Sequence, residues 1–351
     1  MKQYLKKNWK LVLNLVTILL LGMAVFLVRD DVVRAFSDLG KINAFALLLI
    51  IPLQLQNYAA YAHLYKEFFK ILGTKVDFKK LYLITLELNF VNHVFPSGGV
   101  SGFSYFSARL KSFGVSAAQS TLAQTMRFVL TFASFIVLLF IGLFLLAIGG
   151  SASNMTILIT CSLSFLTVFS IAVGIYVISS ATRIKRFIRA LTKQINRLIH
   201  IVRPKYPETI NLKRVEKVCH EMHDNYVVLR DKLPQLRRPL FYSMLANVTE
   251  LATIYVVYIA YGSYVNPGAV IIAYALANFA GLIAVLPGGI GVYEGLMAAV
   301  LISAGVPAGI AISVTVMYRV INLAISLPPG YYFYNKALPK LGKTPAELKN
   351  G

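Results

Sequence analysis

Five ionisable residues lie within long apolar stretches of this 351-residue chain, where charged groups are rare. They are three glutamates and two arginines: Glu87, Arg127, Glu250, Glu294 and Arg319. One charge at the centre of a bilayer costs about 3 kcal/mol to insert, so such residues pair, neutralise or meet water. Charged residues at membrane depth are therefore the first candidates for a functional site.

The two arginines follow similar Pro-Gly segments at nearly the same spacing. The stretches that begin at Pro96 and Pro287 share 7 of 20 positions without gaps, and Arg127 and Arg319 stand 31 and 32 residues after the two prolines. Arginines at equivalent positions of a repeat could clamp a phosphate, because the guanidinium fork matches phosphate oxygens and stays charged in a low dielectric. The alternative is a structural pairing of each arginine with a glutamate. These pairs would be Arg127 with Glu87 and Arg319 with Glu294.

Glycines follow both prolines and mark breaks in the apolar stretches. Free backbone N–H groups at the start of a returning half-helix attract anions, and glycine permits a head group to approach closely. The glutamates would hold a cationic moiety or a proton. Besides the five charged residues, the predicted substrate-binding residues are Pro96, Gly98, Gly99, Gly102, Pro287, Gly288, Gly289, Gly291 and Tyr293.

Composition predicts an all-α polytopic membrane protein. Apolar residues make up 57% of the chain and charged residues 14%, while the net charge is +21. Such a positive excess belongs in cytoplasmic loops and at the lipid surface. The sequence has no hydrolase, kinase, P-loop or zinc signature. We therefore expect no catalytic residue, metal, cofactor or nucleic-acid partner.

Six apolar segments are long enough to span a bilayer, and two more read as re-entrant hairpins. The spans are 11–28, about 43–64, about 118–148, 155–179, 240–262 and 308–334, and the hairpins are 81–110 and 268–304. Basic residues place both termini and the loop 181–238 in the cytoplasm. Three spans separate the hairpins, so they enter from opposite sides and form an inverted repeat whose breaks meet near mid-membrane. The alternative is two kinked helix pairs that only pack.

The chain is therefore predicted to be a single membrane domain over 1–351, with a first half 11–148 and a second half 240–335. Within the cytoplasmic loop, residues 182–202 place apolar side chains on one helical face and basic ones on the other. This amphipathic helix should lie on anionic inner-leaflet lipids. It could act as a lipid sensor, a gate linker or an anchor.

The segments FPSGGVSGF, LPGGIGVYEG, AGVP and YRVINL resemble the lysylphosphatidylglycerol synthase transmembrane family. This is the flippase-like membrane domain of the bacterial multiple peptide resistance factor, which protects against antimicrobial peptides. The resemblance covers roughly 10–335. It implies movement of aminoacylated phosphatidylglycerol to the outer leaflet of the bacterial inner membrane. It also implies that Pro287, Gly288, Gly289, Gly291, Glu294 and Arg319 are motif positions, together with the stretch from Pro96 to Gly102.

The first expectation is thus a lipid translocator for a phospholipid or lipid-linked head group. Full-length relatives carry a separate transferase domain that is not found in this sequence. A phosphatidylglycerol lysyltransferase-type lipid-modifying role, as the family name implies, stays an alternative. An ion-coupled transporter of a small anion is a second alternative, and a homo-oligomer is left open.

Overall fold

The computed structural model describes residues 42–95, 100–150, 152–186, 212–283 and 291–341, with a few single positions beside them. Within these ranges all regular secondary structure is helical. Four helical segments are long and apolar enough to cross a membrane: 117–148, 154–178, 233–260 and 308–337. They match four predicted spans. The predicted span 11–28 lies outside the described ranges, and the span predicted at 43–64 is a helix that is not among these four.

Five α-helices are described between residue 42 and the loop 181–238. They are α1 (Ile50–Ile71), α2 (Phe78–Val94), α3 (Val100–Leu110), α4 (Ala117–Ile148) and α5 (Asn154–Ile178). Side-chain caps fix the first residues of α2 and α4. Asp77 accepts a hydrogen bond from the backbone of Lys79 at the start of α2, and Ser116 and Gln119 form a capping box at α4.

The second half follows a helix of the loop 181–238. The helices are α6 (Leu212–Arg230), α7 (Arg237–Ala260), α8 (Pro267–Ile283), α9 (Val292–Ser303) and α10 (Ala308–Ala337). Pro267 stands at the first position of α8, where its missing N–H costs no hydrogen bond. Gly291 precedes α9 with φ +85°, a conformation that favours glycine.

Both predicted hairpins are pairs of short helices. The first corresponds to α2 and α3 and the second to α8 and α9, and residues 96–99 and 284–290 between the members of each pair lie outside the described ranges. The two helices of each pair pack against each other. Their entry from opposite membrane faces stays a prediction.

The two halves pack reciprocally. Helix α2 of the first half packs on α10 of the second, and α8 of the second half packs on α4 of the first. At the centre, α1 and α7 run antiparallel, because Asn43 donates to the Ala260 carbonyl at 2.9 Å and Asn57 donates to the Ala246 carbonyl at 2.8 Å. Equivalent helices that run antiparallel are what an inverted repeat requires.

Glycines let the helices of both reciprocal contacts approach closely. A Cβ on Gly268 of α8 would lie 2.2 Å from the carbonyl oxygen of Gly142 in α4. A Cβ on Gly330 of α10 would lie 2.6 Å from Cβ of Phe90 in α2. Small residues at such crossings are typical of membrane helices, whose association depends on close van der Waals packing.

The basic loop 181–238 is described only in part. Helix α6 packs on α4, and His223 has its Nδ1 3.0 Å from the carbonyl oxygen of Ile178 at the end of α5. Residues 181–186 are helical, in line with the start of the predicted amphipathic helix 182–202. Most of that helix lies outside the described ranges.

Candidate functional site

Arg319 on α10 is held by a carboxylate from the second hairpin. Its Nε lies 2.7 Å from Oε1 of Glu294, and its guanidinium carbon lies 4.6 Å from the centre of the Tyr293 ring. The other carboxylate oxygen of Glu294 accepts the Gly291 backbone N–H at 2.7 Å. The carboxylate of Glu294 therefore occupies the anion site that the sequence predicts at the start of α9.

Arg127 on α4, the equivalent residue of the first half, has a different environment. Its guanidinium carbon lies 4.5 Å from the Phe128 ring centre and 5.5 Å from that of Tyr61. Its Nε is buried and has no hydrogen-bond partner among the described residues, and no described carboxylate lies within salt-bridge distance. Arginine stays protonated in proteins, so this site keeps a positive charge. The two aromatic rings offset only part of its desolvation.

A polar cavity of about 50 Å³ adjoins Arg127. A single water needs roughly 10–15 Å³ on this measure, so the space holds several waters or one phosphate-sized group. The residues that line it come from α1, α2 and α4. They are Asn57, Tyr58, Tyr61, Tyr65, Thr85, Leu88, Asn89, Asn92 and Arg127.

Hydrogen bonds fix the cavity walls. Asn89 donates to the Tyr58 hydroxyl at 3.2 Å, and Tyr65 donates to Gln124 at 2.7 Å. Oδ1 of Asn92 is buried with no partner among the described residues. Gly102 on α3 lies against this amide, because a Cβ at Gly102 would stand 2.1 Å from Asn92 Oδ1. Glycine at this position therefore allows α3 to pack directly against Asn92, one of the cavity-lining residues.

Glu87 does not contact Arg127, although pairing of the two was one alternative from the sequence. It accepts from Nε of Arg109 at 2.9 Å and from the Tyr105 hydroxyl at 2.7 Å, and its side chain is 2% exposed. Both partners lie on α3. Glu87 thus fastens α2 to α3 within the first hairpin, and the sequence reasoning treated Arg109 only as a marker of the cytoplasmic side.

Glu250 on α7 is buried at the centre of the molecule among neutral groups. It accepts hydrogen bonds from Asn322 at 2.7 Å and from Tyr318 at 2.5 Å, both on α10. The Gln54 amide of α1 donates to it at 3.4 and 3.5 Å. No described lysine or arginine lies within salt-bridge distance of it.

The structure therefore places the eight described predicted site residues at separate locations. Arg319, Glu294, Tyr293 and Gly291 form one cluster. Arg127 lines the cavity and Gly102 packs against its wall residue Asn92. The other two are glutamates that link helices: Glu250 joins α1, α7 and α10, and Glu87 joins α2 to α3 and belongs with none of the other predicted residues. Six predicted residues lie outside the described ranges. They are Pro96, Gly98, Gly99, Pro287, Gly288 and Gly289.

Sequence reasoning missed the polar side of α1. Gln54, Asn57, Tyr58 and Tyr61 lie on one face of this helix and reach the cavity or Glu250. Their spacing of three, four and seven residues from Gln54 is the signal that could have identified them, since such positions share a helix face.

The described helices define a multi-pass α-helical membrane protein. The chain belongs to the lysylphosphatidylglycerol synthase TM region family, whose family model matches residues 11–330. It is similar to a UPF0104 membrane protein of Methanocaldococcus jannaschii, with 22% identity over 327 residues, 90% of this chain and 93% of that protein. A UPF0104 membrane protein of Methanothermobacter thermautotrophicus is 38% identical over 80 residues, 23% of this chain and 24% of that protein. Both relatives are archaeal, so a bacterial location stays a prediction.

Proposed function

We propose that this protein translocates a lipid with a phosphate-bearing head group, and that the Arg127 cavity binds the phosphate. The observation that carries the proposal is an arginine at membrane depth with no described carboxylate partner, beside a polar cavity of about 50 Å³. A buried charge without a partner is strongly unfavourable unless water solvates it or a counter-ion neutralises it. An anionic ligand would supply that counter-ion.

Comparison of the two halves supports an anion as the ligand. In the second half, Arg319 and the Gly291 N–H share the Glu294 carboxylate. In the first half, the position equivalent to Glu294 in the ungapped repeat is Phe103, which has no charge to offer. A lipid phosphate at Arg127 would take the place that Glu294 fills in the second half.

The surroundings of the cavity suit a head group better than an acyl chain. Three asparagines and three tyrosines line it beside the arginine, and these supply several hydrogen-bond donors for phosphate or glycerol oxygens. Aminoacylated phosphatidylglycerol is the particular substrate that the family resemblance suggests. We place the protein in the cytoplasmic membrane with both termini on the cytoplasmic side, since its basic residues cluster at the termini and in loop 181–238.

The reciprocal packing of the halves provides a mechanism for access. If the two hairpins enter from opposite faces, rocking one half against the other along α1 and α7 would expose the cavity to each leaflet in turn. The close glycine crossings at Gly268 and Gly330 would move as rigid contacts during this motion.

The test is lipid movement in reconstituted vesicles. Wild-type protein in phosphatidylcholine vesicles with a trace of head-group-labelled phosphatidylglycerol should speed the passage of label between leaflets, as read by an impermeant quencher. A charge-assisted hydrogen bond contributes about 1.5–3 kcal/mol, so Arg127→Ala should lower the rate by roughly 10- to 150-fold. Arg127→Lys should recover only part of it, because lysine lacks the bidentate fork.

Arg230→Ala is the matched control, since Arg230 is an exposed arginine at the end of α6. It should transport at the wild-type rate. Equal rates for Arg127→Ala and wild type would defeat the site assignment. Uptake of labelled inorganic phosphate without movement of lipid would favour a small-anion transporter instead.

A further inference from the structure

The three intramembrane glutamates differ in what neutralises them. Glu87 is paired with Arg109 and Glu294 with Arg319, at 2.9 and 2.7 Å. Glu250 has only neutral hydrogen-bond donors around it: the Gln54 and Asn322 amides and the Tyr318 hydroxyl. A carboxylate in that setting has no described cation in direct contact with it, so a proton is its simplest counter-charge.

The hydrogen-bond partners of Glu250 can serve both of its protonation states. As a carboxylate, Glu250 accepts from two amides and one hydroxyl. As a carboxylic acid, it would need an acceptor for its O–H. The Tyr318 oxygen can accept after its hydroxyl rotates, and Gln54 can present its carbonyl oxygen after an amide flip. A site that satisfies both states lets the proton come and go without leaving a polar group unpaired.

Other titratable groups face Glu250 from four helices. Those in electrostatic range are Tyr58 and Tyr61 on α1, Tyr274 on α8, Tyr293 on α9, and Tyr318 and Arg319 on α10. Arg319 is the one permanent charge in this described set, and its Nε is bound to Glu294. Glu250 is thus the group whose charge can change without breaking an ion pair.

We propose that Glu250 is a proton-binding site whose protonation is coupled to anion binding at Arg127; the coupling to transport rests on the proposed function. In this step a hydronium ion gives its proton to a carboxylate oxygen of Glu250 and leaves water, and release reverses it. No redox partner is involved. Glu250 lies on α7 and its partners lie on α1 and α10, so it joins the antiparallel pair α1 and α7 between the halves.

Tyr61 connects the two sites. Its ring lies against Arg127 and its hydroxyl is in electrostatic range of both Arg127 and Glu250. An anion bound at Arg127 would place negative charge beside the face of α1 that also carries Gln54, the partner of Glu250, and nearby negative charge favours the protonated form of a carboxyl group. Linkage is reciprocal, so protonation of Glu250 should tighten anion binding. Binding of anionic lipid should therefore strengthen as the pH falls, by a factor of about 5 to 150, the usual range for coupled sites.

The proton site is tested first without transport. Infrared pH-difference spectra of the full chain in phosphatidylcholine nanodiscs should contain a protonated-carboxyl carbonyl band that Glu250→Gln abolishes. Glu87→Gln is the control and should leave the band in place. Tyr318→Phe keeps the carboxyl but removes a hydrogen bond, so it should shift the band even if Glu250→Gln folds poorly. A spectrum in which the titrating carboxyl band survives Glu250→Gln and is unmoved by Tyr318→Phe overturns the proposal.

The coupling is tested next, by the affinity of the nanodisc protein for head-group-labelled phosphatidylglycerol at acidic and alkaline pH. Wild type should bind more tightly at acidic pH, and Glu250→Gln, which is fixed as neutral, should bind equally at both. A pH effect that persists in Glu250→Gln refutes the coupling. The two proposals can also fail separately. If the infrared band is assigned to Glu250 but the protein moves no lipid in vesicles, the proposed function is rejected and the proton site is retained.

Discussion

Replacing each of the two intramembrane arginines by methionine should change stability in different directions. Methionine keeps a long apolar side chain and removes the charge. Arg319→Met leaves the Glu294 carboxylate with only the Gly291 N–H among the contacts described for it. The side chains of this pair are 12% and 16% exposed, so the pair is neither fully buried nor on the open surface. A surface ion pair contributes about 0–1 kcal/mol, and breaking a buried one costs about 3–5 kcal/mol. We expect a loss of about 2–4 kcal/mol.

Arg127→Met should not cost stability in the absence of an anionic ligand. No described carboxylate pairs with Arg127, so its removal strands no counter-charge. Replacing a buried charge with an apolar side chain is often neutral or stabilising, by about 1–4 kcal/mol in favourable cases. We expect a change between zero and a gain of about 2 kcal/mol, hence a gap of at least 2 kcal/mol between the two variants.

The assay is chemical unfolding in mixed micelles, followed by helical circular dichroism. In neutral lipid, the free energies of unfolding should rank Arg127→Met at or above wild type and Arg319→Met below both. Phosphatidylglycerol at 100 times its dissociation constant should stabilise wild type by about 2.7 kcal/mol and Arg127→Met by much less. An equal loss from both substitutions in neutral lipid would mean that Arg127 has a structural partner and would refute the reasoning.

Three further substitutions test the contacts around the site. Glu87→Gln removes the charge that pairs with Arg109, at a site where the Glu87 side chain is only 2% exposed. It should therefore lower the free energy of unfolding by about 3 kcal/mol in the same assay. Gly102→Ala should push the Asn92 amide away and weaken phosphatidylglycerol binding in nanodiscs, and a second change of Asn92→Ala should relieve the clash without restoring affinity. Gly330→Ala should separate α2 from α10 and cost about 1–3 kcal/mol of unfolding free energy, while Gly309→Ala, which meets nothing within 4 Å, should cost less than about 1 kcal/mol.

Helix positions were largely predictable from the sequence. Hydrophobic length and the Pro-Gly breaks predicted the helices that the structure places at 117–148, 154–178 and 308–337, each within about three residues at either end. The two Pro-Gly segments themselves lie mostly outside the described ranges, between α2 and α3 and between α8 and α9. These features are local, because a run of apolar residues or a proline acts on its own segment.

Side-chain partners were less predictable, because they depend on which helices cross. The Arg319–Glu294 pair was one of the alternatives considered and is observed. Pairing of Glu87 with Arg109 was not foreseen, since loop charges were read only for topology. The central contact of α1 with α7 was missed as well. The amides of α1 make that helix look like a weak span, although they bind α7 instead of facing lipid.

The most direct test of the central claim is a cryo-EM map of the full chain in nanodiscs that contain phosphatidylglycerol. The account predicts density for a head-group phosphate in the cavity bordered by Asn57, Asn89 and Arg127, within hydrogen-bond distance of the guanidinium. The contradicting result is a map in which a carboxylate of the protein itself occupies that space, or in which packed side chains fill it and the lipid binds elsewhere.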